Sequence, residues 1–497
     1  MEALTIKEIA LAVGGRILWG DERVKVEEVF TNSKSITLGS LFVPIVGERV
    51  DGHDFIKDAL AAGAASCLSG KEIEKIEGKA CILVEDTLKA LQTLGTYYRN
   101  KFPVPIVGIT GSVGKTTTKE MVAAAFGTAR RVLKTEGNMN SQVGLPLMML
   151  KLSKEHEAGV IEMGMSEEGE MARLCNIAQP EAAIMTNIGI SHIAQLKTRE
   201  NIRKEKMNII NSFQEGGCLV LNRDDDLLGE AAECLKNGQV TIDLSEITKK
   251  KLATSQVITY GISEDCDFRA SDIRTVSEET VFTLTFPKNK ESLWLAPYGK
   301  GNDGTERETL TEEVHLKVPG LHNVYNALAA LAVTWFYQIP VSLAKTGLKE
   351  YQPIAMRGQI IVTEGIKIID DSYNASPDSM KSGIGVLKEL ENVSRHIAVL
   401  ADVKELGEIS KQSHYEVGEF IAENSLDCVV TIGEEAFYIA KAVKDRRVPT
   451  ETYSFTNNQE AISFLKSYLK SGDGVLVKGS RGMKTDEIVK ELTNAAK

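Results

Sequence analysis

No apolar run in this 497-residue chain approaches the roughly 20 residues a bilayer-spanning helix needs, which excludes helical membrane insertion. The opening Met1-Glu2-Ala3-Leu4-Thr5-Ile6-Lys7-Glu8 lacks a basic segment followed by an apolar core, which argues against a secretory leader. Cys-x-x-Cys spacing is also missing. The seven cysteines (67, 81, 175, 218, 234, 266 and 428) are scattered and read as buried, reduced thiols. Positive charge is short: 58 Lys and Arg against 69 Asp and Glu give a net charge of −11, which argues against a nucleic-acid surface. A local cluster of N–H groups, lysine and Mg²⁺ can still bind phosphates, whatever the global charge. There is no short-period repeat, and no Asn-Lys-x-Asp base-reading motif of the kind a GTPase carries. Together these absences lead us to expect a cytoplasmic enzyme.

What is present is ordinary for a globular protein, with 43% hydrophobic and 26% charged residues, in a chain too long for one core. Three domains are the natural count. Residues 1–102 alternate short strands and helices, including the strand Ala80–Val84 and an amphipathic helix from Leu88 to Arg99. Lys101-Phe102-Pro103-Val104-Pro105 interrupts both patterns and reads as an extended linker. In 103–353, apolar runs at 106–109, 159–163, 182–187 and 217–222 alternate with helical stretches, which predicts a mostly parallel sheet wrapped by helices. The polar stretch from Pro287 to Glu313 reads as a surface loop or hairpin extension. An Ala-rich helix from Asn323 to Tyr337 and a second near Val341 follow, and Pro353 marks a hinge. Beyond it, 354–497 holds strand runs at 359–362, 367–370, 396–400, 428–432 and 474–478, which predict a separate Rossmann-like domain.

The most informative stretch is Val104-Pro105-Ile106-Val107-Gly108-Ile109-Thr110-Gly111-Ser112-Val113-Gly114-Lys115-Thr116-Thr117-Thr118, an apolar strand running into a Gly-rich turn and a helix. Such a turn aims successive N–H groups at one anion, and the helix adds its positive dipole end. Lys115 can reach terminal phosphates, and the Thr116 hydroxyl is placed for Mg²⁺, so this reads as a nucleoside triphosphate site. The strict phosphate-loop pattern wants Gly at position 109, where Ile109 stands. Thr117 and Thr118 either continue the first helical turn or lend a hydroxyl to phosphate.

Polar residues end the neighbouring strands, the edge at which open α/β sheets bind ligands. Glu162 is suited to holding Mg²⁺ directly or through water. His192 follows Thr186-Asn187-Ile188-Gly189 and is either structural or a metal ligand. Lys206 lies in a charged segment, Thr198 to Met207, whose spacing reads as a solvated helix face. Asp224-Asp225-Asp226, after Asn222, suits a helix cap as well as a ligand.

Collectively these residues resemble the Mur ligase family of peptidoglycan synthesis. Its longer glycine spacing matches Gly108 to Thr116, and Thr135-Glu136-Gly137-Asn138-Met139-Asn140, Glu162-Met163-Gly164, Thr186 to Gly189 with His192, Gly320-Leu321-His322-Asn323-Val324-Tyr325-Asn326 and Asp371-Ser372-Tyr373-Asn374-Ala375-Ser376-Pro377 follow in the family's order. Gly39-Ser40-Leu41-Phe42-Val43-Pro44, Gly47 to Phe55, Thr116-Thr117-Thr118-Lys119-Glu120-Met121, and Asp371 to Ala375 are most similar to the branch that adds D-alanyl-D-alanine to UDP-N-acetylmuramoyl-tripeptide. One departure is Asn32-Ser33-Lys34, where the family commonly has Asp-Ser-Arg.

The resemblance implies an α/β fold of three domains: an N-terminal domain for the UDP-sugar substrate (1–102), a central P-loop ATPase domain with a parallel-rich sheet (103–353), and a C-terminal Rossmann-like domain that closes on ATP and binds the acceptor dipeptide (354–497). It implies ATP-dependent amide-bond formation through an acyl phosphate, releasing ADP, by a monomer. A sister Mur ligase, or a folylpolyglutamate synthase-like enzyme with another acceptor, is the alternative. Lys115, His192 and Lys206 match catalytic positions. Gly111, Ser112, Val113, Gly114, Lys115, Thr116, Thr117, Asn323, Asn326, Arg357 and Asp371 match ATP contacts, although Asn323 equally reads as a helix cap. Thr116, Glu162, His192 and Lys206 match positions around Mg²⁺, with Lys206 carbamylated by CO₂. Ser33, Asn138, Asn140, Thr186 and Asn187 match substrate contacts. For the acceptor, Asp402 to Gly407, His414-Tyr415 and Lys478 to Lys484 are expected to frame a small zwitterion, with Arg481 either pairing its carboxylate or standing on the surface.

Overall fold

Continuous apolar runs need cover on both faces, and in this protein they receive it in three sheets wrapped by helices. The computed structural model describes residues 1–236, 241–288 and 308–494. The first sheet has five short strands in the order Arg16–Trp19, Ala80–Leu83, Ser66–Ser69, Leu41–Phe42, Val29–Phe30, with the first pair antiparallel and the rest parallel. Its helix Thr87–Arg99 packs on the helices Gly144–Met149 and Glu170–Ala178 of the next domain, so Leu91, Leu94 and Tyr98 share one core with Leu145 and Leu174. Buried Arg99 secures the expected linker: its guanidinium donates to the carbonyls of Ala178, Phe102 and Val104. A Pro-rich connection is thereby held in place although it has no regular structure.

The central sheet has nine strands, in the order Thr309–Leu316, Glu279–Pro287, Phe268–Val276, Gln256–Gly261, Cys218–Asn222, Ala182–Met185, Ile106–Thr110, Ala158–Glu162, Val132–Lys134. From Phe268–Val276 to Val132–Lys134 every pairing is parallel; the first three strands form an antiparallel meander. Of the two readings of Pro287 to Glu313, the meander realises the hairpin extension: Thr309 to Glu313 are strand, paired with Pro287 back to Thr283. Their outward polar side chains disguise an edge strand. Positions 289–307 of that stretch lie outside the described residues. The Ala-rich helix Leu321–Phe336 lies across the sheet, with small side chains allowing close approach to the helix Lys115–Gly127.

The third sheet has six strands, Gln359–Thr363, Ile366–Asp370, Asp473–Lys478, Arg395–Ala401, Cys428–Ile432 and Glu451–Phe455, parallel except at the first pair. Sequence reading missed Glu451–Phe455. It is an edge strand with few aliphatic residues, and Tyr453 and Phe455 pack their rings on Phe464 at 4.3 and 5.4 Å. This domain rests on the central meander: Ser277 donates its N–H to Glu391 at 3.0 Å, and Lys367 pairs with Glu278. Among the described residues no helix is long and apolar enough to cross a membrane.

Candidate active site

The buried strand Ile106–Thr110 delivers the chain to the Gly-rich turn. Two of its glycines are required sterically. Gly111 has φ of 150°, and a Cβ there would lie 1.8 Å from Thr186 Oγ1; Gly114 has φ of 86° at the helix N-terminus. The turn is clasped from below by the next strand end. Val113 N–H donates to Asn187 Oδ1 at 2.9 Å, Thr186 Oγ1 donates to the Val113 carbonyl at 2.6 Å, and Ser112 N–H donates to the Asn187 carbonyl at 3.0 Å. In this geometry Thr186 and Asn187 shape the loop.

Lys115 folds back so that Nζ donates to the Gly111 carbonyl at 2.8 Å. Lys206 reaches the same carbonyl from the helix Arg199–Met207, at 3.1 Å. The solvated-face reading of Lys206 is therefore corrected: it is 1% exposed. Two amines sharing one acceptor in a dry site repel when both are charged. Burial, with Lys115 adding like charge, holds the Lys206 ammonium well below its ordinary range. Burial also lowers Lys115, with nearby Glu162 opposing and Arg357 reinforcing the shift.

Glu162 ends its strand 3% exposed. Asn140 Nδ2 donates to its Oε1 at 2.7 Å, its N–H donates to Thr135 Oγ1, and its Oε2 has no hydrogen-bond partner. A buried, unpartnered carboxylate oxygen lining the same cavity as the buried threonine Thr116 is the donor chemistry a hard divalent cation takes. Among the described residues no three His, Cys, Asp or Glu side chains form a ready cage. The residues fit a cation that completes its shell with phosphate and water oxygens, as Mg²⁺ does.

His192 has φ of 63° and caps the short helix Ile193–Leu196. Its Nδ1 lies 3.2 Å from Glu405 Oε2 of the C-terminal domain, outside hydrogen-bond alignment. Burial, then the positive charges of Lys206 and Lys115, lower its pKa from 6.5 to about 4. The unfolded chain therefore binds a proton between pH 6.5 and about 4 that the folded chain refuses. That part of stability is present above pH 6.5 and is lost as pH falls to about 4, by roughly 3 kcal/mol at most. Denaturant unfolding of His192→Gln should show a shallower loss across this window than the unsubstituted protein; equal slopes would contradict the assignment.

These groups border a cavity of about 830 Å³ between the central and C-terminal domains. Of the residues singled out in sequence, Ser112, Val113, Gly114, Lys115, Thr116, Thr117, Asn138, Asn140, Glu162, Thr186, Asn187, Asn323, Asn326, Arg357 and Asp371 line it. Gly111 and Lys206 are not part of this lining but join it where Lys115 and Lys206 share the Gly111 carbonyl, and His192 follows the lining residue Ser191 in the chain. Ser33 is elsewhere, in the single turn Ser33–Ser35 of the N-terminal domain, whose cap Asn32 accepts the Lys34 N–H at 3.0 Å.

Asn323 does not cap its helix, correcting that alternative: Gly320 occupies the cap, and Asn323 Nδ2 donates to the Pro319 carbonyl at 2.7 Å. Asn326 Oδ1 accepts from Thr118 Oγ1 at 2.9 Å, which engages the Thr118 hydroxyl. Within the acidic run, which lines the cavity, Asp225 accepts the N–H groups of Ile188 and Leu228, the second at the start of the following helix, and Asp224 accepts from Tyr325 Oη at 2.8 Å. Asp371 pairs with Lys478 from the neighbouring strand.

Two side chains of the segments expected at the acceptor are engaged within their own domain. Asp402 is spent on the N–H groups of Glu435 and Ala436 and on Lys404, and His414 accepts the Val403 N–H at 3.0 Å, so both fasten the domain internally. Sequence reading also passed over Arg199, which donates to the Ile188 carbonyl and grips Asp226 beside the cavity. Its position in a charged helical run gave no signal.

Three family profiles match the chain in order: "Mur ligase family, catalytic domain" over 25–99, "Mur ligase middle domain" over 109–334, and "Mur ligase, glutamate ligase domain" over 356–481. Among curated relatives, the UDP-N-acetylmuramoyl-tripeptide–D-alanyl-D-alanine ligase of Bacillus subtilis is 36% identical over 491 residues, covering 98% of each chain. The Escherichia coli ligase of the same name is 29% identical, covering 99% of each. Among solved structures, MurF of Acinetobacter baumannii superposes with a TM-score of 0.85 at 27% identity, covering 99% of each chain. Thermotoga maritima MurF ligase in complex with ADP gives 0.76 at 29% identity, covering 94% of this chain and 97% of that one.

Proposed function

This chain belongs to the Mur ligase family, and from that premise we propose that it joins D-alanyl-D-alanine to UDP-N-acetylmuramoyl-tripeptide at the expense of ATP, in cytoplasmic peptidoglycan precursor synthesis. The observation that carries the reading is the end-to-end likeness to D-alanyl-D-alanine ligases, which includes the C-terminal domain as well as the nucleotide machinery. It favours this acceptor over those of sister ligases and folate enzymes.

Carboxylate oxygen is a poor leaving group, so the tripeptide's terminal carboxylate must be activated. Its oxygen attacks the γ-phosphorus of ATP, the bond to the ADP oxygen breaks, and an acyl phosphate results. The free amine of D-alanyl-D-alanine then attacks the acyl carbon, phosphate departs, and the nitrogen gives up a proton. The first step brings two anions together. Lys115, the N–H groups of the turn and the helix N-terminus supply positive charge fixed before the reaction, which is worth more in a dry site than in water. Thr116, Glu162 and His192 would hold Mg²⁺, which when bound neutralises charge on the phosphate oxygens. Buried, readily deprotonated Lys206 supports the carbamate that the family resemblance implies, since only a neutral amine adds to CO₂. Arg357 and Asp371 belong to the domain whose closure shields the acyl phosphate from water, with Asp371 reaching the ribose. Asn323 and Asn326 face the base, Asn138 and Asn140 the peptide, and Ser33 the uridine nucleotide held by residues 1–102.

Phosphate release by the purified protein should require both a UDP-muramoyl tripeptide and D-alanyl-D-alanine. Running the assay with lysine and with diaminopimelate at the third position identifies the natural tripeptide. Release with a single amino acid in place of the dipeptide would assign a sister ligase instead, and no acceptor-dependent release would overturn the proposal.

A further inference from the structure

Arg357 reaches the cavity without the anchors that usually fix a guanidinium. Its Nε is buried with no hydrogen-bond partner, and among the described residues no carboxylate lies within ion-pair distance of it. It also faces the like charge of Lys115. Its close contact is aromatic: Arg357 Cζ stands 4.0 Å from the centroid of the Tyr373 ring. The ring's own position is secured by the backbone. Tyr373 N–H donates to the carbonyl of Met356, the residue preceding Arg357, at 3.2 Å, and Met356 has φ of 63° in a turn closed by the Arg357 N–H on the Ile354 carbonyl at 3.2 Å. Arg481, from a third segment, brings its Cζ within 5.6 Å of the same ring and its Nη1 to 3.7 Å from Met356 Sδ.

From this geometry we infer that Tyr373 is a positioning residue: its ring face holds the Arg357 guanidinium toward the phosphate loop, so that the arginine is ready for a triphosphate before one arrives. The inference deepens the reading above, on which Arg357 reaches the nucleotide. A guanidinium over an aromatic face is attracted by the ring quadrupole, and the attraction grows where water is excluded. The ring face does this work, so the hydroxyl is dispensable.

The test is a double-mutant cycle on affinity for a non-hydrolysable ATP analogue, measured by calorimetry, with melting temperature as the control for folding. Tyr373→Leu should weaken the analogue about five- to tenfold, the scale of one partly desolvated cation–π contact. Tyr373→Phe should stay within about twofold of the unsubstituted protein. Arg357→Ala should weaken binding at least as much as Tyr373→Leu, and adding Tyr373→Leu to it should cost nothing further. Equal losses from Tyr373→Leu in the presence and absence of Arg357, unchanged affinity in Tyr373→Leu, or a Phe variant as weak as the Leu variant would each overturn the inference. Because the readout is nucleotide binding, a wrong acceptor assignment would leave the coupling intact, so the two failures are distinguishable.

Discussion

Replacing Lys115 by alanine should lower ATP-dependent turnover by at least about 10²- to 10³-fold while leaving the fold in place. The two halves of that expectation have separate physical causes. Among the described residues Lys115 Nζ hydrogen-bonds only to the carbonyls of Gly111 and Ser112, both within the turn it belongs to, so no distant described element depends on it. Burial already disfavours its charge, and deleting a costly buried cation relieves that desolvation. The melting temperature should therefore hold or rise. On the proposed mechanism catalysis depends on the same charge, because the attacking carboxylate and the triphosphate are both anions, and a water molecule in the vacated space supplies dipole but no net charge. Lys115→Arg should restore little, since a planar fork cannot occupy the space of a compact ammonium against the Gly111 carbonyl. Phosphate release, analogue affinity and thermal melting measured together check this. Turnover within tenfold of the unsubstituted protein would remove Lys115 from the chemistry.

The turn around Lys115 was legible because its determinants are contiguous. An apolar strand, glycines at positions with positive φ, and a helix start are all written in one stretch. The central and C-terminal sheets were legible for a related reason, since strands buried on both faces are apolar throughout. Edge strands escaped this rule. Glu451–Phe455 and the first residues of Thr309–Leu316 carry polar side chains outward, so the former gave no strand signal and the latter was readable as loop as well as hairpin. The burial of Lys206 was illegible from spacing for a different reason, although the family resemblance had marked the position. Its helix has the charged composition of a surface helix, and its buried amine is bonded to the Gly111 carbonyl, 95 residues away in the chain. Asn187 and Thr186 illustrate a third case: motif reading located them at the site, whereas only the tertiary hydrogen bonds reveal that they fasten the loop to the neighbouring strand. Arg357 over Tyr373 belongs with these, being a contact between two turns that no local periodicity encodes.

Lys206→Ala should be the second large loss, again on the order of 10²-fold or more, and the manner of its rescue distinguishes carbamate from ammonium. If Lys206 acted as a cation, alanine would remove positive charge and small cations would be the natural complement. If it acts as the carbamate, the substitution removes an anion, and formate or acetate entering the vacated space should restore part of the activity. The structure favours the second course. Burial and the adjacent Lys115 both push the amine toward its neutral form, which is the form that adds to CO₂ with loss of a proton. The pH dependence follows with a definite sign: because the folded amine holds its proton less tightly than free lysine, carbamate should persist to lower pH than an ordinary lysine permits and be lost as acid finally protonates the amine. Enzyme equilibrated with ¹³C-bicarbonate should show a carbamate carbon by NMR that is absent from Lys206→Ala, a readout independent of turnover. Conversely, a Lys206→Ala protein with full activity, no labelled carbamate in the unsubstituted enzyme and no response to short-chain acids would leave Lys206 as a buried structural amine bonded to the Gly111 carbonyl.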